Sequence, residues 1–262
     1  MGRVINLKGN LLLVHGAWAG SWVWSRIQPE FEAMGYRVYT VDLPGNGCDN
    51  TPADKVNLDL YLDFLENRVA CIEGPVTLVG HSGAGVIITA LAERLPERVQ
   101  ALVYIAGMML PSGMGFGDLI GELLPSHPEV EGINPYLLWN EDHSVSRVPV
   151  IAARQIFFQD LDDETAIAAA QQMTAQPEGG KTLVAHWTAE RAGQVPRLYI
   201  EATEDGSVVL VLQRAMQALV PGADVASFST GHAPQVGRPR EVAGVIDQFL
   251  RTRLSSRTQK TG

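Results

Sequence analysis

The feature that most constrains the fold is a glycine-rich turn between an apolar run and a helical pattern. Residues 76–94 read VTLVGHSGAGVIITALAER, which predicts a buried strand that turns at Ser82 into a helix. A serine hydroxyl becomes an effective nucleophile only when it is held clear of its neighbours, beside a general base and beside donors for an oxyanion. A sharp turn that does this needs small residues, here Gly80 and Gly85. The pattern is that of a nucleophile elbow, G-x-S-x-G, with Ala84 in place of the second glycine.

Apolar, β-branched runs alternate with helical segments in the first half of the chain and again near its end. Candidate strands are residues 10–14, 37–42, 76–80, 99–105, 197–201 and 224–228, and candidate helices are residues 24–34, 58–72, 83–94, 150–159, 163–174, 208–220 and 239–254. The strands of the first half are nearly continuous apolar runs, as expected when both faces of a sheet are buried. The alternation predicts an α/β fold with a mostly parallel sheet flanked by helices and catalytic groups at the carboxyl ends of strands.

The pattern changes between residues 108 and 194. This segment opens with a Gly- and Pro-rich stretch, and its two helical patterns have no strand between them. An interruption of this kind in an α/β domain predicts an inserted helical cap. We therefore expect a core of residues 1–107 and 195–254, a helical cap of residues 108–194 and a frayed tail of residues 255–262.

A hydroxyl nucleophile requires a general base, and the chain has six histidines. His127, His143 and His186 fall in the predicted cap. His81 adjoins the serine, and we expect it to point to the opposite side of the turn. His232 follows the last predicted strand in the loop STGHAP, at the same carboxyl edge as the elbow. His232 is therefore the predicted base.

The imidazole of the base needs a carboxylate that sets its tautomer and stabilises the imidazolium. Glu201, Glu204 and Asp205 all lie at the carboxyl end of the strand RLYIE. Asp205 is the best candidate because the turn residue Gly206 follows it, and Glu204 is interpreted as a solvated loop charge. The interval from Asp205 to His232 has room for one helix and one strand, which returns both loops to one edge of the sheet.

The oxyanion hole is predicted to combine two backbone N–H groups. One belongs to Gly83, directly after the nucleophile, and the other to Ala17 in the loop HGAW that follows the first strand. We expect His15 in that loop to brace it through hydrogen bonds and to face away from the substrate.

Five motifs follow one another in this order along essentially the whole chain: HGAW, DLPGNG, GHSGAG, TEDG and GHAP. With them the chain resembles the α/β-hydrolase superfamily, and within it the group of plant methylesterases, hydroxynitrile lyases and bacterial carboxylesterases. The segment PRLYIEATEDG…GHAP is especially similar to bacterial esterases of the pyrethroid-hydrolase type. The resemblance implies a catalytic triad of Ser82, Asp205 and His232 and an oxyanion hole from Ala17 and Gly83, the positions reached above.

Two positions bear on the reaction. Hydroxynitrile lyases of this group carry a threonine after the first histidine and a lysine after the catalytic one, whereas this chain has Gly16 and Ala233 there. Without the charge of that lysine to manage cyanide, the resemblance implies hydrolysis. Epoxide hydrolases and dehalogenases of the same fold use an aspartate at the elbow, which Ser82 does not match.

Apolar residues dominate the predicted cap and the loop near the oxyanion hole. Most of them are expected to pack the cap onto the sheet, and Trp18, Met108 and Phe157 are the candidates for substrate contact. The predicted function is a serine carboxylic-ester hydrolase that forms an acyl-enzyme with a small to medium, hydrophobic ester or lactone. The alternatives are a lyase of the hydroxynitrile type and a non-catalytic ligand-binding protein on a hydrolase scaffold.

Composition limits which kinds of partner the protein can bind and which cellular compartment we expect for it. The net charge of -9 argues against nucleic acid, which needs a concentrated basic surface. No apolar stretch is long enough to span a membrane and no secretory leader precedes the first strand, so we expect a cytoplasmic protein. Cys48 and Cys71 have no disulfide or metal-ligand spacing, and Cys71 is favoured as a buried thiol. We expect a small-molecule substrate and neither cofactor nor metal, and leave a homodimer open.

Overall fold

The computed structural model describes residues 7–258, which form a six-stranded parallel sheet covered by helices on both faces. The strands are β1 Gly9–Val14, β2 Tyr36–Thr40, β3 Val76–His81, β4 Val99–Ile105, β5 Leu138–Trp139, β6 Val145–Arg147, β7 Gln176–Pro177, β8 Arg197–Ala202 and β9 Asp224–Phe228. The α-helices are α1 Gln28–Ala33, α2 Leu58–Ala70, α3 Ala84–Arg94, α4 Phe116–Leu123, α5 Val150–Ile156, α6 Asp163–Gln171, α7 Leu210–Leu219, α8 Pro234–Gly237 and α9 Pro239–Thr258. The order of strands in the main sheet is β2-β1-β3-β4-β8-β9.

Side chains of each central strand alternate between two hydrophobic layers. Leu11 and Leu13 of β1 pack in the layer that contains α1 and α9, and Leu12 and Val14 pack in the layer that contains α2, α3 and α7. A strand with a period of two can bury every residue only when helices cover both faces. The nearly continuous apolar strands of the sequence are explained in this way, and the predicted α/β fold with a mostly parallel sheet flanked by helices is confirmed.

The sheet reverses its direction of growth at β1. The chain passes outward from β1 to β2 and then returns across β1 to β3, β4 and β8. At such a switch point the loops leave the carboxyl ends of neighbouring strands in opposite directions and open a crevice. The loop after β1 and the turn after β3 are therefore the two neighbours that can build a site together.

The segment between β4 and β8 contains more than the helices that the sequence indicates. Besides α4, α5 and α6 it includes β5, β6 and β7, which form a separate antiparallel sheet in the order β5-β6-β7. Strands of two or three residues are too short to show a period of two, so the sequence analysis missed them. A third hydrophobic cluster, which includes Trp18, Phe157, Phe158 and Ala233, joins this segment to the loops after β1 and β9.

Three local expectations differ from the structure. The predicted helix of residues 24–34 is divided into a 3-10 turn, Ser21–Trp24, and α1, because Pro29 has no N–H for a continuous helix and occupies the first turn of α1 instead. Helix α9 runs to Thr258, so its last turn enters the segment predicted as a frayed tail, and residues 259–262 lie outside the described residues. Cys71 is exposed because it caps α2, away from that helix's buried face.

None of the helices among residues 7–258 combines the length and the apolar character needed to cross a bilayer.

Two helical glycines differ sharply in the room around them, and we predict opposite effects of alanine. A Cβ on Gly85 would lie 2.6 Å from the backbone nitrogen of Met108, whereas a Cβ on Gly244 would meet nothing within 4 Å. Gly85→Ala should lower the free energy of unfolding by about 1–3 kcal/mol through overpacking. Gly244→Ala in α9 should raise it by roughly 0.5–1 kcal/mol through helix propensity. Urea titrations measure both, and equal effects would contradict the close contact at Gly85.

Candidate active site

Ser82 occupies a strained turn directly after β3. Its backbone φ of +56° is in the left-handed region, which is unfavourable for a residue with a side chain. Three backbone hydrogen bonds hold it there: Ser82 N–H donates to the Ile105 carbonyl at 3.1 Å, and the Ser82 carbonyl accepts from Gly85 N–H at 3.0 Å and Met108 N–H at 2.9 Å. The elbow is therefore fixed by β4 and by the first turn of α3.

Glycines let the backbone approach the elbow from two sides. A Cβ on Gly80 would lie 3.0 Å from the backbone of Ala84, and a Cβ on Gly16 would lie 2.7 Å from Ser82 Cβ and 2.9 Å from the His81 carbonyl oxygen. Both contacts are closer than side chains tolerate without a shift of the chain. Ala84, which takes the place of the second glycine of the common pattern, is fully buried in the hydrophobic layer around α3.

His232 and Asp205 form a buried pair at the carboxyl ends of β8 and β9. Nδ1 of His232 lies 2.7 Å from Oδ2 of Asp205. The other carboxylate oxygen of Asp205 accepts from the N–H groups of Ser207 at 2.7 Å and Val208 at 2.9 Å. These bonds orient the carboxylate toward Nδ1, and Nε2 of the imidazole is left to act on a substrate.

The structure separates Asp205 from the two neighbouring carboxylates. Glu201 is bound by Arg214, Gln217 and Ser227. Glu204 is exposed, which agrees with its interpretation as a solvated loop charge. Asp205 is the carboxylate of the three that contacts His232.

His81 differs from expectation, because its ring contacts the ring of His232 instead of lying on the far side of the turn. The His81 and His232 ring centroids are 4.7 Å apart, and His81 Nε2 lies 2.7 Å from the His232 carbonyl oxygen. Position next to the serine in sequence concealed this contact, because neighbouring side chains of an extended chain point to opposite faces. Ser82 instead lies beyond the end of β3 with a φ of +56°, and His81, Ser82 and His232 line the same small cavity. His81 thus holds the backbone of His232.

Ser82 and His232 line the same small cavity, of about 20 Å³, together with Ala17, Trp18 and Phe157. Among residues 7–258 no hydrogen bond joins Ser82 Oγ to the His232 ring. Catalytic hydrogen bonds of ligand-free sites are commonly long and shorten when substrate binds. The hydroxyl and the imidazole are therefore neighbours whose final alignment a substrate would complete.

The two amides predicted for the oxyanion hole lie beside the same hydroxyl. Ala17 and Gly83 both line a larger cavity in front of Ser82. Neither amide donates a hydrogen bond among the described residues. His15 braces the loop that carries Ala17, as expected: its Nδ1 lies 2.8 Å from the Gly16 carbonyl, and its Nε2 accepts from Leu43 N–H at 3.0 Å. It was also expected to face away from the substrate, but it lines the larger cavity.

The larger cavity has a volume of about 380 Å³ and meets the small one at Ser82. Its wall is mostly apolar, with Ile87, Phe116 and Val130 among the lining residues. Trp18 and Met108, two of the predicted contact residues, line it. Phe157, the third, lines the small cavity instead, with its ring centroid 5.1 Å from that of His232.

One end of the larger cavity is polar, which the sequence analysis missed. Asn46, Tyr61 and Gln176 line it, each almost fully buried, and they are joined by hydrogen bonds from Tyr61 to Asn46 at 2.9 Å and from Asn46 to Gln176 at 2.7 Å. Gln176 comes from β7, some 130 residues beyond Asn46. No local pattern signals a contact between such distant polar residues.

Burial dominates the electrostatics around the elbow. It lowers the pKa of His81 well below 6.5, and the charge of nearby His232 lowers it further. It also lowers the pKa of His15, against the opposing effect of the Gly16 carbonyl. Both imidazoles are therefore neutral at pH 7. Within residues 7–258, no group of three or more His, Cys, Asp or Glu side chains is arranged to hold a metal ion.

Fold and site together define a class: a parallel α/β sheet with a serine elbow after β3 and an acid–histidine pair after β8 and β9 is the architecture of α/β hydrolases. A model of the alpha/beta hydrolase family matches residues 11–245, and the chain belongs to that family. The resemblance noted from the sequence motifs is confirmed.

Individual relatives are similar over almost the whole chain. A pyrethroid hydrolase of Sphingobium wenxiniae is 30% identical over 92% of this chain and 87% of its own length. Methylesterase 17 of Arabidopsis thaliana is 26% identical over 90% of each chain. The crystal structure of a pyrethroid hydrolase from Sphingobium faniae superposes with a TM-score of 0.83 at 26% identity, covering 94% of this chain and 99% of that one.

The buried histidines predict that acid destabilises the protein before its carboxylates titrate. Below about pH 6.5 the unfolded chain binds protons on His15 and His81 that the folded chain does not bind, so stability falls as the pH is lowered. Between about pH 7 and pH 5.5 each histidine contributes a slope of at most about 1.4 kcal/mol per pH unit, a limit that is reached where the imidazole is protonated in the unfolded chain and neutral in the folded one. Urea titrations across this range measure the slope. His81→Gln should reduce it, and a wild-type stability that does not change with pH in this range would contradict the buried neutral state.

Proposed function

We propose that the protein is a serine carboxylic-ester hydrolase. The observation that carries the proposal is the convergence at Ser82. The strained elbow shares a cavity with His232, which is bound by Asp205, and two amides beside the elbow have no acceptor among the described residues. Each group has the chemistry that acyl transfer requires: nucleophile, base, orienting acid and oxyanion donors.

The proposed reaction has two halves. His232 Nε2 takes the proton of Ser82 Oγ as the oxygen attacks the ester carbonyl, and the Ala17 and Gly83 N–H groups bind the resulting oxyanion. Collapse of this intermediate breaks the bond to the alcohol, whose oxygen receives the proton from His232, and leaves an acyl-enzyme. A water molecule deprotonated by His232 then attacks the acyl carbon, and Ser82 leaves with that proton as the acid is released.

The relatives support an ester substrate, since a pyrethroid hydrolase and a methylesterase are among them. We propose that the acyl group occupies the larger, apolar cavity. His232 must reach the oxygen of the departing alcohol, and it lines the small cavity, so the alcohol is assigned to that side. The substrate class is then a hydrophobic ester or lactone of small to medium size.

A lyase of the hydroxynitrile type fits the site less well. Gly16 takes the place of the lyase threonine, and a side chain there would collide with Ser82. Ala233 takes the place of the lyase lysine and is buried beside Ser82 in the small cavity, so no cation is supplied there to cyanide.

The central prediction concerns the groups of the triad. Ser82→Ala should lower kcat for a p-nitrophenyl ester by about 10⁶-fold if the triad acts as a unit. Asp205→Asn should lower kcat by about 10⁴-fold, because the wrong tautomer of His232 is then favoured. Steady-state hydrolysis at neutral pH measures both effects.

Glu204→Gln is the matched control, since it neutralises the adjacent, exposed carboxylate and should leave kcat unchanged. Hydrolysis that survives Ser82→Ala and His232→Ala would overturn the proposal. A fluorophosphonate probe separates the enzyme from a binding protein on the same scaffold: it should label the wild type at Ser82 and fail to label Ser82→Ala.

The two cavities predict a selectivity for acyl groups. In methyl esters of increasing acyl length, kcat/KM should rise by up to about fourfold per methylene, the equivalent of about 0.8 kcal/mol, until the larger cavity is filled. Exchange of methyl for benzyl in the alcohol should lower kcat/KM, because the cavity beside His232 is small. Initial rates over both series measure this, and a preference governed by the alcohol alone would reverse the assignment of the cavities.

A further inference from the structure

All polar groups of Trp18, the residue after Ala17, are bound by one distant segment. Its N–H donates to Gln176 Oε1 at 3.1 Å, its indole Nε1 donates to Ser146 Oγ at 3.0 Å, and its carbonyl accepts from Thr174 N–H at 2.8 Å. The three partners follow Trp18 by more than 120 residues and lie in the segment between β4 and β8. The loop after β1 is thus held from outside the parallel sheet.

The small antiparallel sheet brings two of these partners to the same place. Ser146 of β6 and Gln176 of β7 are cross-strand neighbours, and both side chains are almost completely buried. Residues directly opposite each other in an antiparallel pair point to the same face. One face of a sheet with strands of two and three residues therefore binds both the backbone and the indole of Trp18.

Gln176 is itself held in one orientation. Its Oε1 also accepts from Asn46 Nδ2 at 2.7 Å, and its Nε2 donates to the Pro177 carbonyl at 2.9 Å. Tyr61 donates to Asn46 Oδ1 at 2.9 Å and so fixes the amide of that residue. The side-chain oxygen is directed at Trp18 N–H by neighbours that are all buried.

These bonds bear on the oxyanion hole because of where Ala17 lies. On one side Gly16 packs against Ser82 and the His81 carbonyl, and on the other side Gln176 holds the peptide that joins Ala17 to Trp18. Trp18 itself has a φ of +57°, in the left-handed region that residues with a side chain seldom adopt. The contact of Gly16 with Ser82 and the hydrogen bond of Gln176 to Trp18 N–H thus constrain the backbone on both sides of Ala17, and with it the direction of Ala17 N–H.

We propose that the small sheet is a clamp for the oxyanion hole, in which Gln176 is a positioning residue that holds the Ala17 amide in line with the oxyanion formed at Ser82. The inference rests on the proposed ester hydrolysis. It assigns to the segment between β4 and β8 a part in the chemical step, in addition to its part in enclosing the cavity.

Gln176→Leu tests the clamp, with p-nitrophenyl acetate as a substrate too small to depend on the polar end of the cavity. We expect kcat to fall about 10- to 100-fold, less than or equal to the loss of one oxyanion donor, while KM changes little. Gln172→Leu, an exposed glutamine at the end of α6 in the same segment, is the matched control and should retain wild-type kinetics.

A second readout separates positioning from a general loss of structure. A trifluoromethyl ketone adds reversibly to Ser82 Oγ, and the oxygen of the resulting hemiketal occupies the oxyanion hole, whereas the matching methyl ketone binds without this addition. Gln176→Leu should weaken the trifluoromethyl ketone in proportion to the loss of kcat/KM and leave the affinity for the methyl ketone unchanged. A merely structural role would weaken both alike.

Two further variants keep the test decisive if Gln176→Leu does not fold. Gln176→Glu retains an oxygen acceptor for Trp18 N–H and should recover part of kcat, and Ser146→Ala removes the indole bond alone and should have the smaller effect. The clamp is overturned if the wild type hydrolyses the ester and the Gln176 variants that fold retain both its kcat and its preference for the trifluoromethyl ketone. Absence of ester hydrolysis by the wild type overturns the proposed function itself, and the clamp with it.

Discussion

The site depends on one close approach, between the backbone at Gly16 and the side chain of Ser82. Because β1 and β3 are neighbours in a parallel sheet, their carboxyl ends release two loops at the same height. Residue 16 has no Cβ, so the first loop closes onto the elbow, and Ala17 then lines the cavity in front of the hydroxyl. In the proposed hydrolysis, this contact sets the distance between the nucleophile Ser82 and the oxyanion donor Ala17. Any side chain at residue 16 would push the loop away from the elbow.

The other side chains of the site, His232, Asp205 and His81, are buried and are held in place by contacts with one another. His232 is fixed at Nδ1 by Asp205 and at its backbone by His81, and its ring packs against Phe157. His81 is neutral at pH 7 because it is buried. In the proposed hydrolysis, a neutral neighbour lets His232 accept a proton without a second positive charge beside it. His81 therefore holds the backbone of His232 and adds no charge next to its ring.

The segment between β4 and β8 is part of the site. It supplies an apolar wall of the larger cavity, and through Ser146 and Gln176 it binds the residue next to Ala17. Burial of the Gln176 amide is tolerated because both its oxygen and its nitrogen have hydrogen-bond partners. The same hydrogen bonds that stabilise this segment on the sheet would then orient the oxyanion hole.

Much of this protein follows from local pattern. A nearly continuous apolar run predicted β4 to the residue, and the strand pattern that resumes near the end of the chain predicted β9 to the residue. The small residues around Ser82 predicted the elbow, and the order of loops predicted the pairing of His232 with Asp205. These features can be predicted because strand burial, tight turns and the topology of parallel sheets each restrict which residue types occur close together in sequence. Three features could be recognised only in the tertiary structure: the contact of His81 with His232, the small antiparallel sheet, and the hydrogen bonds of that sheet to Trp18. They join residues up to 158 positions apart, through single hydrogen bonds and strands too short to have a period, so only the folded chain decides them.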